Sequence, residues 1–438
     1  MVFSRIFGSG GKPAPDPEPD DSGDEPEESY NAPESLPDTT WAERAMQVLP
    51  TGTSTGSKRR EALWGSPDAD GPTHYLSAAG CRITTSNDEE LIDCTMALGA
   101  VALGYADERV TAAVVTAAAG GSVAGLPHVL EVEVAERLCD AVPCAEKVQF
   151  LKTGAEAVAA AVRLARAHTG RTTVIACGYF GWLDWCQAEP GVPGVVAADC
   201  VRIAFDDVAA LDQSVSTAGN GLAAIVLEPV IERMPSPEWI ARARELATKQ
   251  GAVLIFDEVK TGFRLKPGGY QELSGVTPDL AAFGKALANG YPLSAVCGRA
   301  DLMDTARKTW ISSTLACDST ALAAARVVLQ LHAEEDLCAK LAEIGGEMRT
   351  AVSNALRASR VEGISIAGID PMWFLQFTSP ALETQFLTTA AANGVLFKRG
   401  PYNFASLAHD AETIHELEAC TSNALVGMRD GMRDGSAA

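Results

Sequence analysis

Apolar residues in the middle of the chain come in short runs with no polar alternation. They fall at Val148–Leu151, Thr173–Cys177, Leu222–Leu227, Val253–Phe256, Leu280–Phe283 and Leu293–Cys297. Runs of this length and type predict strands buried on both faces. Helical spacing appears between several of them, at Ala155–His168 and Ile240–Lys249, with Gly170 placed to stop the first helix. Alternating strand and helix over about 170 residues predicts an open, mostly parallel α/β sheet. Ligands of such sheets sit outside the carboxyl ends of the strands. Chemistry is therefore sought just after each apolar run.

The flanking regions read differently. Helices are expected at Trp41–Pro50, Glu108–Ala119, Val129–Val142, Thr320–Ala333 and Glu412–Met428, with Gly120-Gly121 ending the second. Residues 51–60 form a polar loop, and residues 73–95 read as short strands around the turn Ser86-Asn87-Asp88. Residues 334–438 mix helices and short strands and include a Gly-rich, aromatic stretch, Asn393–Phe404. No internal repeat is visible. The expected division is a tail at 1–38, an N-terminal segment of a smaller domain at 39–95, a large domain at 96–330 and a C-terminal small domain at 331–438.

Charge sharpens the first boundary. Residues 1–38 hold ten carboxylates against Arg5 and Lys12, together with seven prolines, and so carry −8 of the total −22. That segment has too little apolar surface to offset its ordering entropy and reads as disordered. The remaining residues carry −14, which disfavours a nucleic-acid groove. No run of about 18 apolar residues predicts a transmembrane helix. No secretory signal or organellar presequence is evident. The eleven cysteines form no CxxC pair, which suits reduced thiols in the cytoplasm. The six histidines show no metal-ligand spacing, so no metal is expected.

Four strand ends carry notable residues. Lys285 follows LAAFG, where burial could depress an ammonium pKa as a Schiff-base lysine requires. A surface lysine is the plainer alternative. Asp257 closes VLIF, and a buried carboxylate needs a partner: a protonated pyridine nitrogen, or a nearby arginine such as Arg264. Thr153-Gly154-Ala155-Glu156 opens a helix, whose free N–H groups and dipole favour a phosphate. The same residues also read as a plain capping box of Thr153 and Glu156. Tyr179-Phe180-Gly181-Trp182 could stack an aromatic on a planar ring or simply pack a core. Taken together, these features suit a phosphorylated, pyridinium-bearing aldehyde held by a lysine, which is pyridoxal 5′-phosphate (PLP).

On these residues the chain resembles class III (ω-type) aminotransferases of PLP fold type I, in the glutamate-1-semialdehyde 2,1-aminomutase-like branch. The match is carried by LKTGAEAVAAAVRLARAHTGR (151–171), GYFGWLDW (178–185), AAIVLEPV (223–230), GAVLIFDEVKTGFRL (251–265), GVTPDLAAFGKALANGYPLSAVCGR (275–299) and SSTLACDSTALAAA (312–325). Weaker similarity extends it over nearly all of residues 41–430.

The resemblance implies an aspartate aminotransferase-like fold. Its large domain has a mostly parallel seven-stranded sheet, and its smaller α+β domain is built from both chain ends. The resemblance implies that Lys285 holds the cofactor, that Asp257 meets its ring nitrogen and that Val259 packs on the ring. Gly154 and Ala155, beside Thr153, would bind the phosphate, and Tyr179 would stack, with Phe180 next to it. Thr314 would reach the phosphate of a neighbouring subunit's cofactor, implying a homodimer with shared active sites. Glu228 would lie near cofactor and substrate. Arg59, Arg60 or Arg399, with Lys398, are the candidate cations for a substrate carboxylate.

Several positions depart from the family pattern. Ala155 stands where a hydroxyl residue is common, and Phe180 where a histidine is common. Ala288-Asn289-Gly290-Tyr291-Pro292 replaces the Gly-Gly-Gly-Leu-Pro of aminomutases, and Cys317-Asp318-Ser319 replaces Gly-Asn-Pro. The expected activity is amino transfer between a small-molecule amino donor and a carbonyl acceptor. An intramolecular amino shift is the alternative. A non-catalytic PLP-fold binding or regulatory protein is the alternative of another class. A nucleotide-binding α/β protein is disfavoured by the lack of a GxGxxG after a strand.

Overall fold

The computed structural model describes residues 40–435, so the tail expected to be disordered lies outside the described residues. Three short strands open the structure: β1 (Tyr75–Ala79), β2 (Arg82–Thr85) and β3 (Glu90–Asp93), paired antiparallel in sequence. Asp88 adopts a left-handed φ of 60° at the turn between β2 and β3.

Seven strands form the central sheet. They are β4 (Lys147–Leu151), β5 (Thr173–Cys177), β6 (Cys200–Arg202), β7 (Leu222–Leu227), β8 (Val253–Asp257), β9 (Leu280–Phe283) and β10 (Ser294–Gly298). Their order is β4-β10-β9-β8-β7-β5-β6. Strands β5 to β9 run parallel, whereas β10 runs antiparallel to both its neighbours. The cause is local. A parallel return needs a crossover of a dozen or more residues. The link from β9 to β10, residues 284–293, holds only a short 3-10 turn, Lys285–Ala288, and turns back at left-handed Asn289 and Gly290.

Both faces of this sheet are covered, which explains the unbroken apolar runs. Val174, Ala176, Ala224, Val226 and Ile255 pack in one core with Val158, Val162 and Leu164 of the helix Gly154–Thr169. Ile175, Ile225, Leu254 and Phe256 pack in another with Trp239, Ile240 and Leu246 of the helix Pro237–Gln250. Strand β6 was not expected from the sequence, because two of its three residues are exposed and it carries no buried run.

The last part of the chain supplies β11 (Ile364–Ile369), β12 (Met372–Phe377), β13 (Val395–Leu396) and β14 (Asn403–Phe404). Strand β13 pairs parallel to β3, Val395 opposite Ile92, so one four-stranded sheet draws on both chain ends. The other three strands form their own sheet. Long helices at Leu337–Ser359 and Ala411–Gly435 pack against each other beside them. The first helix, Trp41–Val48, is shorter than expected. Leu49 is extended, as the residue before Pro50 prefers to be.

Candidate active site

The carboxyl ends of β7, β8 and β9 and the start of the helix after β4 meet in one cleft. Lys285 directly follows the Gly284 that ends β9, and it holds a left-handed φ of 48°. A non-glycine residue in that region is strained, and such strain clusters at functional sites. Its side chain is partly exposed. Burial, with the Lys260 ammonium as the next cause, pulls its pKa down to about 8. Asp257 and Glu228 oppose that shift.

Asp257 ends β8 at 6% exposure. One oxygen accepts the Val259 N–H at 3.0 Å. Among the described residues it forms no ion pair, and burial, then the Glu228 charge, push its pKa up to about 7. Arg264 is not its partner. That guanidinium is fully buried elsewhere, donating to the carbonyls of Ala405 at 2.8 Å, Gly99 at 3.2 Å and Pro371 at 3.3 Å. Asp257 is thus a buried carboxylate awaiting a cation.

The helix Gly154–Thr169 opens with the capping box read from the sequence. Thr153 Oγ1 accepts the Glu156 N–H, and Glu156 Oε2 accepts the Thr153 N–H at 2.8 Å. The amides of Gly154 and Ala155 precede the first intrahelical bond, from Ala157 to Thr153, and are left for another acceptor. A Cβ on Gly154 would lie 2.8 Å from Val259, so the helix start is pressed against this valine. Gly181 is likewise pressed against Ala155, where an added Cβ would come within 2.3 Å of the alanine methyl. A phosphate at the helix start, a ring over Val259 and a pyridinium at Asp257 fit this cradle.

The aromatic segment divides. Tyr179 is exposed at the cleft, and its N–H donates to Glu228 Oε2 at 3.0 Å. Phe180 points the other way, buried against Trp185 at 5.5 Å with Arg202 over its ring. The family's imidazole is therefore replaced by a core residue. Asp318, another departure, caps the helix Ser319–Glu334 and pairs with Lys152 at 3.0 Å, next to the phosphate cradle. Asn289 ties the lysine loop to residues 103–104 through two 2.9 Å bonds, to the Leu103 N–H and the Gly104 carbonyl. Thr314 lies on an exposed stretch.

The candidate substrate cations stand apart. Arg59 is exposed and precedes the short helix Arg60–Trp64, while Arg60 is partly buried. Arg399 is ion-paired with Glu383 at 3.1 Å. Lys398 donates to the Arg399 carbonyl. One cation inside the site was not singled out from the sequence. Lys260, 8% exposed, sits 2.5 Å from Glu228 and 3.1 Å from the Tyr402 hydroxyl. The signal that marked Lys285, a lysine just past a buried strand, was present at Lys260 too.

Residues 66–409 match the family model for class-III aminotransferases. The chain is 32% identical over 412 residues to a glutamate-1-semialdehyde 2,1-aminomutase of Opitutus terrae, covering 85% of this chain and 95% of that one. It is 28% identical to a 3-aminobutyryl-CoA aminotransferase of Cloacimonas acidaminovorans, covering 86% and 94%. The fold is similar to that of the FumI protein of Sphingopyxis sp. MTA144, solved in its PLP internal aldimine form. The TM-score is 0.84 at 25% identity, covering 90% of this chain and 96% of the other. The chain therefore belongs to the class III aminotransferases, PLP-dependent enzymes of fold type I.

Proposed function

We propose that the enzyme moves an amino group from a small-molecule donor to a separate carbonyl acceptor, with Lys285 as the lysine that binds PLP. PLP supplies an electron sink for a carbanion next to the transferred nitrogen. The chain's own residues do the rest. Asp257 keeps a proton on the ring nitrogen, because a cation there relieves its buried charge. Gly154 and Ala155 offer amides to the phosphate, and the Thr153–Glu156 capping box fixes their direction. Tyr179 covers the outer ring face. With PLP bound, Lys285 would be the amine that holds and moves the proton at the reacting substrate carbon. An amine held near pKa 8 is close to the range such a shuttle needs.

The observation that carries this reading is the pairing of a strained, charge-tuned Lys285 with a buried, unpaired Asp257. The intramolecular amino shift uses the same parts. The choice of two-substrate transfer rests on the Ala288–Pro292 segment, where buried Asn289 occupies a hydrogen-bonded corner that a glycine would leave empty. The test is the requirement for two substrates. A donor alone should convert the loaded enzyme only once, and turnover should begin when a keto or aldehyde acceptor is added. Steady turnover of a single amino-aldehyde with no second substrate would establish the intramolecular reaction instead.

We also propose a homodimer that shares its sites. Trp310 (87%), Trp182 (77%), Tyr179 and Leu315 are exposed, with Tyr179 tied to Glu228 in the site and Leu315 adjacent in the chain to Thr314. Large aromatics left open beside a site are what a partner subunit would cover. Sedimentation of the purified protein should give a dimer. We assign the division at 96–330 to the PLP-binding domain and 39–95 with 331–438 to the smaller one, supported by the β3–β13 pairing. Eleven unpaired cysteines support a cytoplasmic location, and no helix among the described residues is long and apolar enough to cross a membrane.

A further inference from the structure

Strands β7 and β8 end side by side, with Leu227 opposite Phe256, so each delivers a carboxylate to the same place. Glu228 and Asp257 are 9% and 6% exposed. Two like charges on neighbouring strands at this depth repel, and the Glu228 charge makes Asp257 hold a proton more tightly. One pyridinium can neutralise only one of them. The second cation comes from the loop after β8. Lys260 Nζ lies 2.5 Å from Glu228 Oε1 and donates to the Tyr402 hydroxyl at 3.1 Å, with the ring of Tyr402 4.2 Å away. Tyr402 is held in turn, its hydroxyl accepting the Glu232 N–H at 2.7 Å. Glu228 uses its other oxygen on the Tyr179 N–H. The ammonium is therefore fixed from β7, from the aromatic loop and from the C-terminal part of the chain.

We propose that Lys260 is a positioning residue: by neutralising Glu228, it reserves Asp257 for the ring nitrogen and sets the charge balance of the site that holds Lys285. The groups that face Lys285 are Lys260, Asp257, Glu228 and Arg264. With Lys260 paired to Glu228, and Asp257 paired to the ring, the carboxylates around Lys285 are balanced. Removing Lys260 leaves one net negative charge beside it, which favours the protonated form. Removing Glu228 leaves one net positive charge and does the reverse. Removing both restores the balance. This rests on the reading of Lys285 as the cofactor lysine.

The test is a pH titration of the visible cofactor absorbance of the PLP-loaded enzyme. Wild type, Lys260→Met, Glu228→Gln, the double variant and Lys260→Arg are compared. Lys260→Met should tighten proton binding about tenfold, moving the midpoint up by about one pH unit. Glu228→Gln should move it down by a similar amount. The double variant and Lys260→Arg should return close to wild type. Should Lys260→Met fail to fold, Glu228→Gln and the double variant still carry the test. A Glu228→Gln midpoint that matches wild type, or a double variant displaced as far as Glu228→Gln, would overturn the proposal. A wild-type enzyme with no titrating visible band would instead overturn the reading of Lys285, so the two failures are distinguishable.

Discussion

Asp257 and Glu258 are adjacent, and strand geometry sends their side chains opposite ways. Glu258 turns into the protein, where it accepts the amides of Tyr270 at 2.9 Å and Gln271 at 3.0 Å and holds the helix Tyr270–Ser274. Asp257 faces the cleft with one hydrogen bond and no cation. Its pKa in the cofactor-free fold lies near 7 against an ordinary 3.8, chiefly through burial. A folded-state pKa above the unfolded one gives stability that is present below the unfolded pKa and lost as pH rises through the folded one. Asp257 should therefore contribute stability that is lost between pH 3.8 and about 7, read as the difference between wild type and Asp257→Asn in urea unfolding of the cofactor-free protein across pH. Asp257→Asn should remove that part of the slope, while Glu258, also raised to about 7, acts in the same direction and His332 and His409, held down to about 4 by burial, act in the opposite one. The same variant should retain PLP and lose at least about a hundredfold in turnover. Lys285 and Asp257 were legible in the sequence because each directly follows an apolar run. Lys260 carried the same signal, but its partners Glu228 and Tyr402 come from distant segments that only the fold brings together.

The helix Gly154–Thr169 works through its first turn. Its cap, start and stop were legible: Thr153 and Glu156 form the box, and Gly170 closes the far end in the left-handed region. The close approach of Gly154 to Val259 was not legible, because β4 and β8 lie apart in sequence. A Cβ there would sit 2.8 Å from Val259 Cγ1 and 3.0 Å from Cγ2. Gly154→Val should push the helix start off the cradle and weaken PLP binding by about tenfold or more, measured by equilibrium dialysis. Thermal unfolding of the cofactor-free form should change much less than the loaded form. Most strands were legible for the same reason as the site residues, namely burial on both faces. The reversal of β10 was not, because an apolar run carries no direction. The brevity of the link around Lys285 set it.

Across the whole molecule, Arg264 joins parts far apart in sequence. It reaches the carbonyls of Gly99, Pro371 and Ala405 from the loop after β8, and it lies over the Phe404 ring at 4.9 Å. Those carbonyls belong to three separate segments around the cleft floor. Arg264→Leu should leave the Gly99 and Ala405 carbonyls without this donor, while the Pro371 carbonyl keeps the Ala405 N–H, and cost about 2–4 kcal/mol, read from the urea midpoint of the cofactor-free protein. The sequence offered this arginine as a counter-ion to Asp257, since the two are near in the chain. The fold instead turns it beneath the site. The pairing of β3 with β13 was equally invisible in local pattern, because it joins opposite ends of the chain. Resemblance, not periodicity, suggested a domain built from both termini.

The central claim, that Lys285 carries the cofactor, is tested most directly by trapping. The purified protein is loaded with PLP, reduced with borohydride and digested, and the modified peptide is located by mass spectrometry. The structure predicts a single label on Lys285, absent from Lys285→Ala. A label on Lys260, or none on either lysine, would contradict it.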